Sequence, residues 1–119
     1  MSDPTPPSTL AEQQRAVHAW ISQWEEGYFH PLSNLARLTE EVGELARELN
    51  ERHGDKPPAD HRDRCEDAVA DELGDILFVT ITLANSLDID LSQALQRVMD
   101  KYGVRDAQRF TPRTADHDD

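Results

Sequence analysis

The stretch from Arg62 to Ser86 constrains the fold more than any other part of the chain. Val69, Leu73, Ile76, Leu77, Val79, Thr80, Leu83, Ala84 and Leu87 recur at helical spacing over a wide arc, and Phe78 and Ile81 are apolar on the far side. A helix that is apolar nearly all round is a buried one, so this stretch is expected to lie between other helices. Glu72 nevertheless falls between Val69 and Val79 around the axis, at the margin of the apolar arc, with Asp75 beside it. A carboxylate in that position is costly unless it is neutralised, paired or bound to a metal. Three readings stand side by side: a solvated edge, a salt bridge to Arg37 or Arg47, and a metal ligand.

A second acidic stretch sharpens the third reading. Glu40-Glu41-Val42-Gly43-Glu44 precedes Asp71-Glu72-Leu73-Gly74-Asp75, with 27 residues between Glu44 and Glu72. Residues three apart are neighbours on one helical face. If the two helices pack together, Glu41, Glu44, Glu72 and Asp75 converge on one small volume, where like charges repel unless a cation lies between them. The first helix is expected from about Leu32 to Arg52, with Pro31 suited to its first turn. Leu35, Leu38, Val42, Leu45 and Leu49 form a stripe with alternating spacings of three and four, which suits a second helix from the same or another chain. Ala36, Gly43 and Ala46 adjoin it, where small side chains admit close approach. Glu40, Glu41, Glu44 and Glu48 fill the remaining arc, which on this helix alone also reads as a solvated acidic face.

The flanks complete an all-α chain of four helices of unequal length, with no segment of period-two alternation. Thr9 is an N-cap with Glu12 closing a capping box, and Gly27 is expected to end that helix. Its Trp20 and Trp24 read either as core or as rings turned toward a pocket. Asp90 caps the last helix, with Gln93 three residues on and Gly103 at its expected end. Leu91, Ala94, Leu95, Val98, Met99 and Tyr102 form its apolar face. Lys101, Arg105 and Arg109 gather there. Residues 53–60 read as a loop, and 1–8 and 111–119 as disordered tails, leaving one helical domain over 9–110.

Charge narrows the partners. The chain has 24 Asp and Glu against 12 Lys and Arg, a formal net charge of −12. That field repels nucleic-acid backbones, and it repels phosphorylated small molecules unless cations mask it. The lone cysteine, Cys65, excludes an intrachain disulfide and fits a reducing compartment as a structural thiol. His53, His61 and His117 are expected to be solvated. No apolar run reaches the roughly 18 residues of a membrane span, and the first nine residues lack the pattern of a signal peptide. A cytoplasmic location with no membrane partner is expected.

The candidate ligands are all oxygens. No Glu-x-x-His pair marks a di-iron bundle, and no Cys/His cluster marks zinc. Hard carboxylates select Mg²⁺ or Mn²⁺. Mg²⁺ keeps waters and favours phosphate oxygens, so a phosphate ligand is the natural partner. Such an ion polarises a phosphoryl oxygen and helps generate a hydroxide. Glu40, adjacent to the ligands but pointing elsewhere, is the candidate to orient or deprotonate that water.

Glu-Glu-Val-Gly-Glu followed after a loop by Glu-Leu-Gly-Asp resembles the E-E-x-x-E … E-x-x-D signature of the MazG-type nucleoside triphosphate pyrophosphohydrolases. The resemblance runs from about Ala11 to Phe110 and is closest to small single-domain bacterial members. Phe29-His30-Pro31-Leu32, Leu83-Ala84-Asn85-Ser86-Leu87-Asp88-Ile89 and Lys101-Tyr102-Gly103-Val104-Arg105-Asp106 share it. It implies hydrolysis between the α- and β-phosphates of a (d)NTP, giving a nucleoside monophosphate and pyrophosphate, in nucleotide-pool housecleaning. It implies Mg²⁺ on Glu41, Glu44, Glu72 and Asp75. Asn85 matches a nucleoside-facing position, and Lys101 and Arg105 match phosphate-side cations, Lys101 with a catalytic part. Trp20, Trp24 and Phe29 are candidates for the base. The resemblance also implies a homo-oligomer, dimer or tetramer, with active sites near subunit contacts. An all-α dUTPase-like hydrolase and a non-catalytic oligomerising helical module are the competing readings.

Overall fold

The computed structural model describes residues 9–53 and 67–114. The tail at 1–8, the loop at 54–60, His61, the start of the Arg62 helix, Cys65 and His117 lie outside the described residues. Among those described there are four α-helices and no strand: α1 Leu10–Ser22, α2 Pro31–His53, α3 Ala68–Ser86 and α4 Leu91–Arg105.

The ends of the helices follow from side chains that satisfy their free backbone groups. The Thr9 hydroxyl accepts from the Glu12 N–H at 3.1 Å and donates to the Glu12 carboxylate at 2.8 Å. Asp90 caps α4 by accepting from the Gln93 N–H at 3.1 Å. At α2 the ring of His30 takes the capping part, its Nδ1 accepting from the Leu32 N–H at 3.1 Å.

Both glycine stops are corrected. α1 ends at Ser22, where a tight turn begins with the Trp24 N–H on the Ile21 carbonyl at 3.1 Å. Gly27 instead turns the chain in the left-handed region, at φ +60°. Gly103 lies inside α4, which continues to Arg105 and closes with the Asp106 N–H on the Tyr102 carbonyl at 2.9 Å. A helix absorbs one glycine at a cost of about 1 kcal/mol.

α3 is the central element, packed against α2 along its length and against α1, and α4 rests on α1. Val79, Ile81, Thr82 and Ala84 of α3 are buried, together with Ile21 of α1 and Asn34 of α2. The C-terminal half of α3 is thus enclosed as expected. Its N-terminal half is not, since Leu73 and Leu77 are half-exposed. After Leu87 the chain reverses through Asp88 at φ 55°. There the Ile89 N–H reaches the Ala84 carbonyl at 2.8 Å and the Asp88 N–H reaches that of Asn85 at 3.2 Å, a Schellman closure. Asp tolerates the left-handed conformation better than most residues.

The seam of α2 is rotated from the leucine stripe. Asn34, Leu38, Glu41, Leu45 and Glu48 are its more enclosed positions, at spacings of four and three. Leu35, Val42 and Leu49 remain exposed, and nothing comes within 4 Å of a Cβ placed on Gly43 or Gly74. The close approach expected at Gly43 therefore does not occur within one chain. Glu41 sits in the seam itself. Among the described residues, no helix is long and apolar enough to cross a membrane.

Candidate active site

Glu41 from α2 and Glu72 and Asp75 from α3 bring one carboxylate oxygen each to within 4.8 Å of one another. Asn34 and Arg37 of α2 share a pocket with Phe78 and Thr82 of α3, so the two helices run antiparallel and the pocket begins about one turn from the carboxylates. Glu44, the fourth expected ligand, is outside the tight group, although its charge acts on Glu72.

Glu72 is the centre of the cluster. Burial pushes its carboxyl up from an ordinary 4.5 to about 7, reinforced by a hydrogen bond with Glu41 and by the charges of Glu44, Glu41 and Asp75. Two carboxyl groups can hydrogen-bond only by sharing a proton, which the raised Glu72 carboxyl keeps below about pH 7. The Oε2 atom of Glu72 is buried and has no hydrogen-bond partner. The salt-bridge reading fails: the Arg37 guanidinium lies over the Phe78 ring at 5.7 Å, and Arg47 approaches Glu48 at 3.8 Å. The solvated-edge reading fails on the same buried oxygen. An oxygen-only set with one orphaned acceptor fits a hard divalent cation.

The remaining candidates fall into three places. Trp24 and Phe29 line the pocket beside the cluster, with Trp20, Phe78, Thr82 and Asn34. The ring of Trp20 meets those of Trp24 at 6.0 Å and Phe78 at 5.9 Å, both edge-on. Both tryptophans remain half-exposed, at 54% and 51%, so they wall a cavity of about 250 Å³ rather than fill a core. Glu40 is exposed on α2, outside the seam.

Asn85 is tied into the fold. Its Oδ1 accepts from Gln14 Nε2 at 2.9 Å, and its Nδ2 donates to the Gln14 carbonyl at 2.9 Å. Gln14 also donates to the Ile89 carbonyl and accepts from the Leu91 N–H, each at 2.9 Å. One glutamine thus joins α1 to α3 and α4, a role that no spacing in the sequence announces.

Lys101 and Arg105 are exposed on α4 and fold over Tyr102, at 5.3 and 4.4 Å from the ring centre. Arg105 also grips Asp106 with two bonds of 3.0 Å. Since α4 rests on α1 and not on the carboxylate seam, one chain does not bring these cations to Glu72.

Comparison with known proteins identifies the family. The family model of the MazG nucleotide pyrophosphohydrolase domain matches residues 29–110. The uncharacterized protein YpjD of Bacillus subtilis (strain 168) is 50% identical over 103 residues, covering 87% of this chain and 91% of its own. The dATP/dGTP diphosphohydrolase of Cyanophage S-2L is 30% identical over 97 residues, covering 76% of this chain and 70% of its own. The crystal structure of a Bacillus-conserved MazG protein, a nucleotide pyrophosphohydrolase, superposes with a TM-score of 0.69 at 43% identity, covering 92% of this chain and 97% of that one. That of Bacillus subtilis YpjD gives a TM-score of 0.72 at 49% identity, covering 86% and 98%. The chain is therefore a member of the MazG nucleotide pyrophosphohydrolase family and an enzyme that hydrolyses nucleotide pyrophosphate bonds.

Proposed function

We propose that the enzyme cleaves (deoxy)nucleoside triphosphates between the α- and β-phosphates, releasing a nucleoside monophosphate and pyrophosphate in nucleotide-pool housecleaning. The observation that carries this reading is the buried, partnerless Oε2 of Glu72 among the carboxylates of Glu41 and Asp75. Those three residues hold Mg²⁺, or Mn²⁺ in its place, with Glu44 as the fourth and more open ligand. When bound, the ion supplies a Lewis acid for the phosphoryl oxygens and an acidified water. Glu40, on the exposed face next to the ligands, takes up the proton of the attacking water. The aromatic pocket one turn away receives the nucleoside. The cyanophage relative, named for dATP and dGTP, supports a nucleotide of this kind.

The homo-oligomer belongs to the same reading. Leu35, Val42 and Leu49 of α2 and Leu73 and Leu77 of α3 leave apolar surface exposed on the two helices that carry the carboxylates, and large exposed apolar surface marks interfaces. A second chain on that surface is the way for Lys101 and Arg105 to reach the phosphates. A panel of canonical and oxidised (d)NTPs with Mg²⁺, scored for pyrophosphate against orthophosphate, tests the reading. Pyrophosphate with a monophosphate supports it. Orthophosphate with a diphosphate contradicts it. Strict confinement to dUTP selects the dUTPase-like alternative.

A further inference from the structure

Beside the carboxylates, one polar side chain is buried without a use in the fold. Asn34 is 1% exposed and lines the aromatic pocket, and its Nδ2 has no hydrogen-bond partner. Leaving such a donor unsatisfied costs roughly 1–3 kcal/mol, and leucine on the same seam carries no such penalty. Thr82, also buried, shares the pocket, and its hydroxyl proton is committed to the Phe78 carbonyl at 2.8 Å. Its oxygen is left with acceptor capacity only. The pocket therefore holds a buried free donor and a buried acceptor among the rings of Trp20, Trp24, Phe29 and Phe78, with the charged ends of Glu26 and Arg37 also on its lining.

We infer that Asn34 is the specificity-determining residue of this enzyme: its Nδ2 donates to an acceptor on the edge of a purine or pyrimidine ring, with Thr82 Oγ1 receiving a ring or exocyclic N–H. A flat heteroaromatic ring with an acceptor beside a donor satisfies both groups and stacks on the aromatic walls. A cavity of about 250 Å³ suits one ring system. The position also fits: Asn34 lies seven residues, about two turns, before Glu41 on α2. A base held at Asn34 leaves the sugar and phosphates to span that distance to the carboxylates. The inference rests on the proposed substrate class, and its test separates the two.

Both tryptophans of the chain line the pocket, so intrinsic fluorescence reports occupancy without turnover. Free nucleosides, titrated in EDTA, are expected to quench this fluorescence saturably. A nucleoside carrying phenyl in place of the base, which lacks the acceptor, binds about tenfold more weakly. Asn34→Leu shrinks that preference severalfold, leaving only the part carried by Thr82, and Asn34→Asp, which keeps the shape but loses the donor, does the same. The ratio between two ligands on one variant does not respond to a general loss of stability, and circular dichroism confirms the fold. A preference undiminished in both variants overturns the inference, as does the absence of saturable quenching in the wild type. Quenching that depends on Asn34 in a protein that cleaves no triphosphate leaves the inference standing and removes the proposed reaction. Cleavage with a base preference unchanged in Asn34→Leu does the reverse.

Discussion

Glu72 favours its protonated form, because burial and three neighbouring carboxylates oppose its charge. Its folded value of about 7 stands above the ordinary 4.5, so the folded chain keeps a proton that the unfolded chain has released. Stability of the metal-free protein is therefore full below about 4.5, falls as pH rises through the interval, and levels off above about 7. Glu72→Gln removes this dependence: its melting temperature should exceed that of the metal-free wild type at pH 8 and converge on it near pH 5, as thermal scans in EDTA will show. The same substitution should lower turnover by more than the roughly 10–100-fold typical of groups outside the metal ligands, with the helical circular dichroism unchanged. Near-normal turnover would mean that Glu72 is no ligand. This residue was legible in the sequence because helical phase alone put an acid on the rim of an apolar arc. Asn34 and Gln14 were not. Each is a single polar residue on a helix, and its meaning comes from atoms far away in the chain.

The helices themselves were legible from caps and periodicity, and their mutual rotation was not. Leu35, Val42 and Leu49 continue a regular stripe with Leu38 and Leu45, yet only the latter two share the enclosed seam with Asn34, Glu41 and Glu48. A stripe with spacings of three and four fits a partner in its own chain or in another, and periodicity does not say which side meets which. Both glycine stops failed for a related reason: the end of a helix depends on what satisfies the last carbonyls, and at α4 the Asp106 N–H does so beyond Gly103. Gln14 ties α1 to the α3–α4 reversal through bonds to Asn85, Ile89 and Leu91. Gln14→Ala should therefore destabilise the fold by about 1–3 kcal/mol, read by urea denaturation, with Mn²⁺ affinity in the folded protein unaltered. A wild-type midpoint would show that the junction adds nothing.

At the scale of the molecule, one chain leaves many large apolar side chains in water, with Leu73 and Leu77 of the central helix among them. Light scattering should show an oligomer, and a monodisperse monomer of 13.5 kDa that still cleaves nucleotides would refute the assembly. Glu72→Gln and Lys101→Ala chains, each inactive alone, should recover activity when mixed if the cation acts on a neighbour's site. Failure to recover would place both groups in one chain. The proposed reaction depends on the acids of α2 and α3 forming a metal site around Glu72. The most direct test is calorimetric titration of Mn²⁺ into the metal-free protein at pH 6.5, in two buffers of different ionisation enthalpy. Saturable binding with proton release, abolished in Glu72→Gln, is the predicted result. Absence of saturable binding, or an isotherm unchanged by Glu72→Gln, would contradict it.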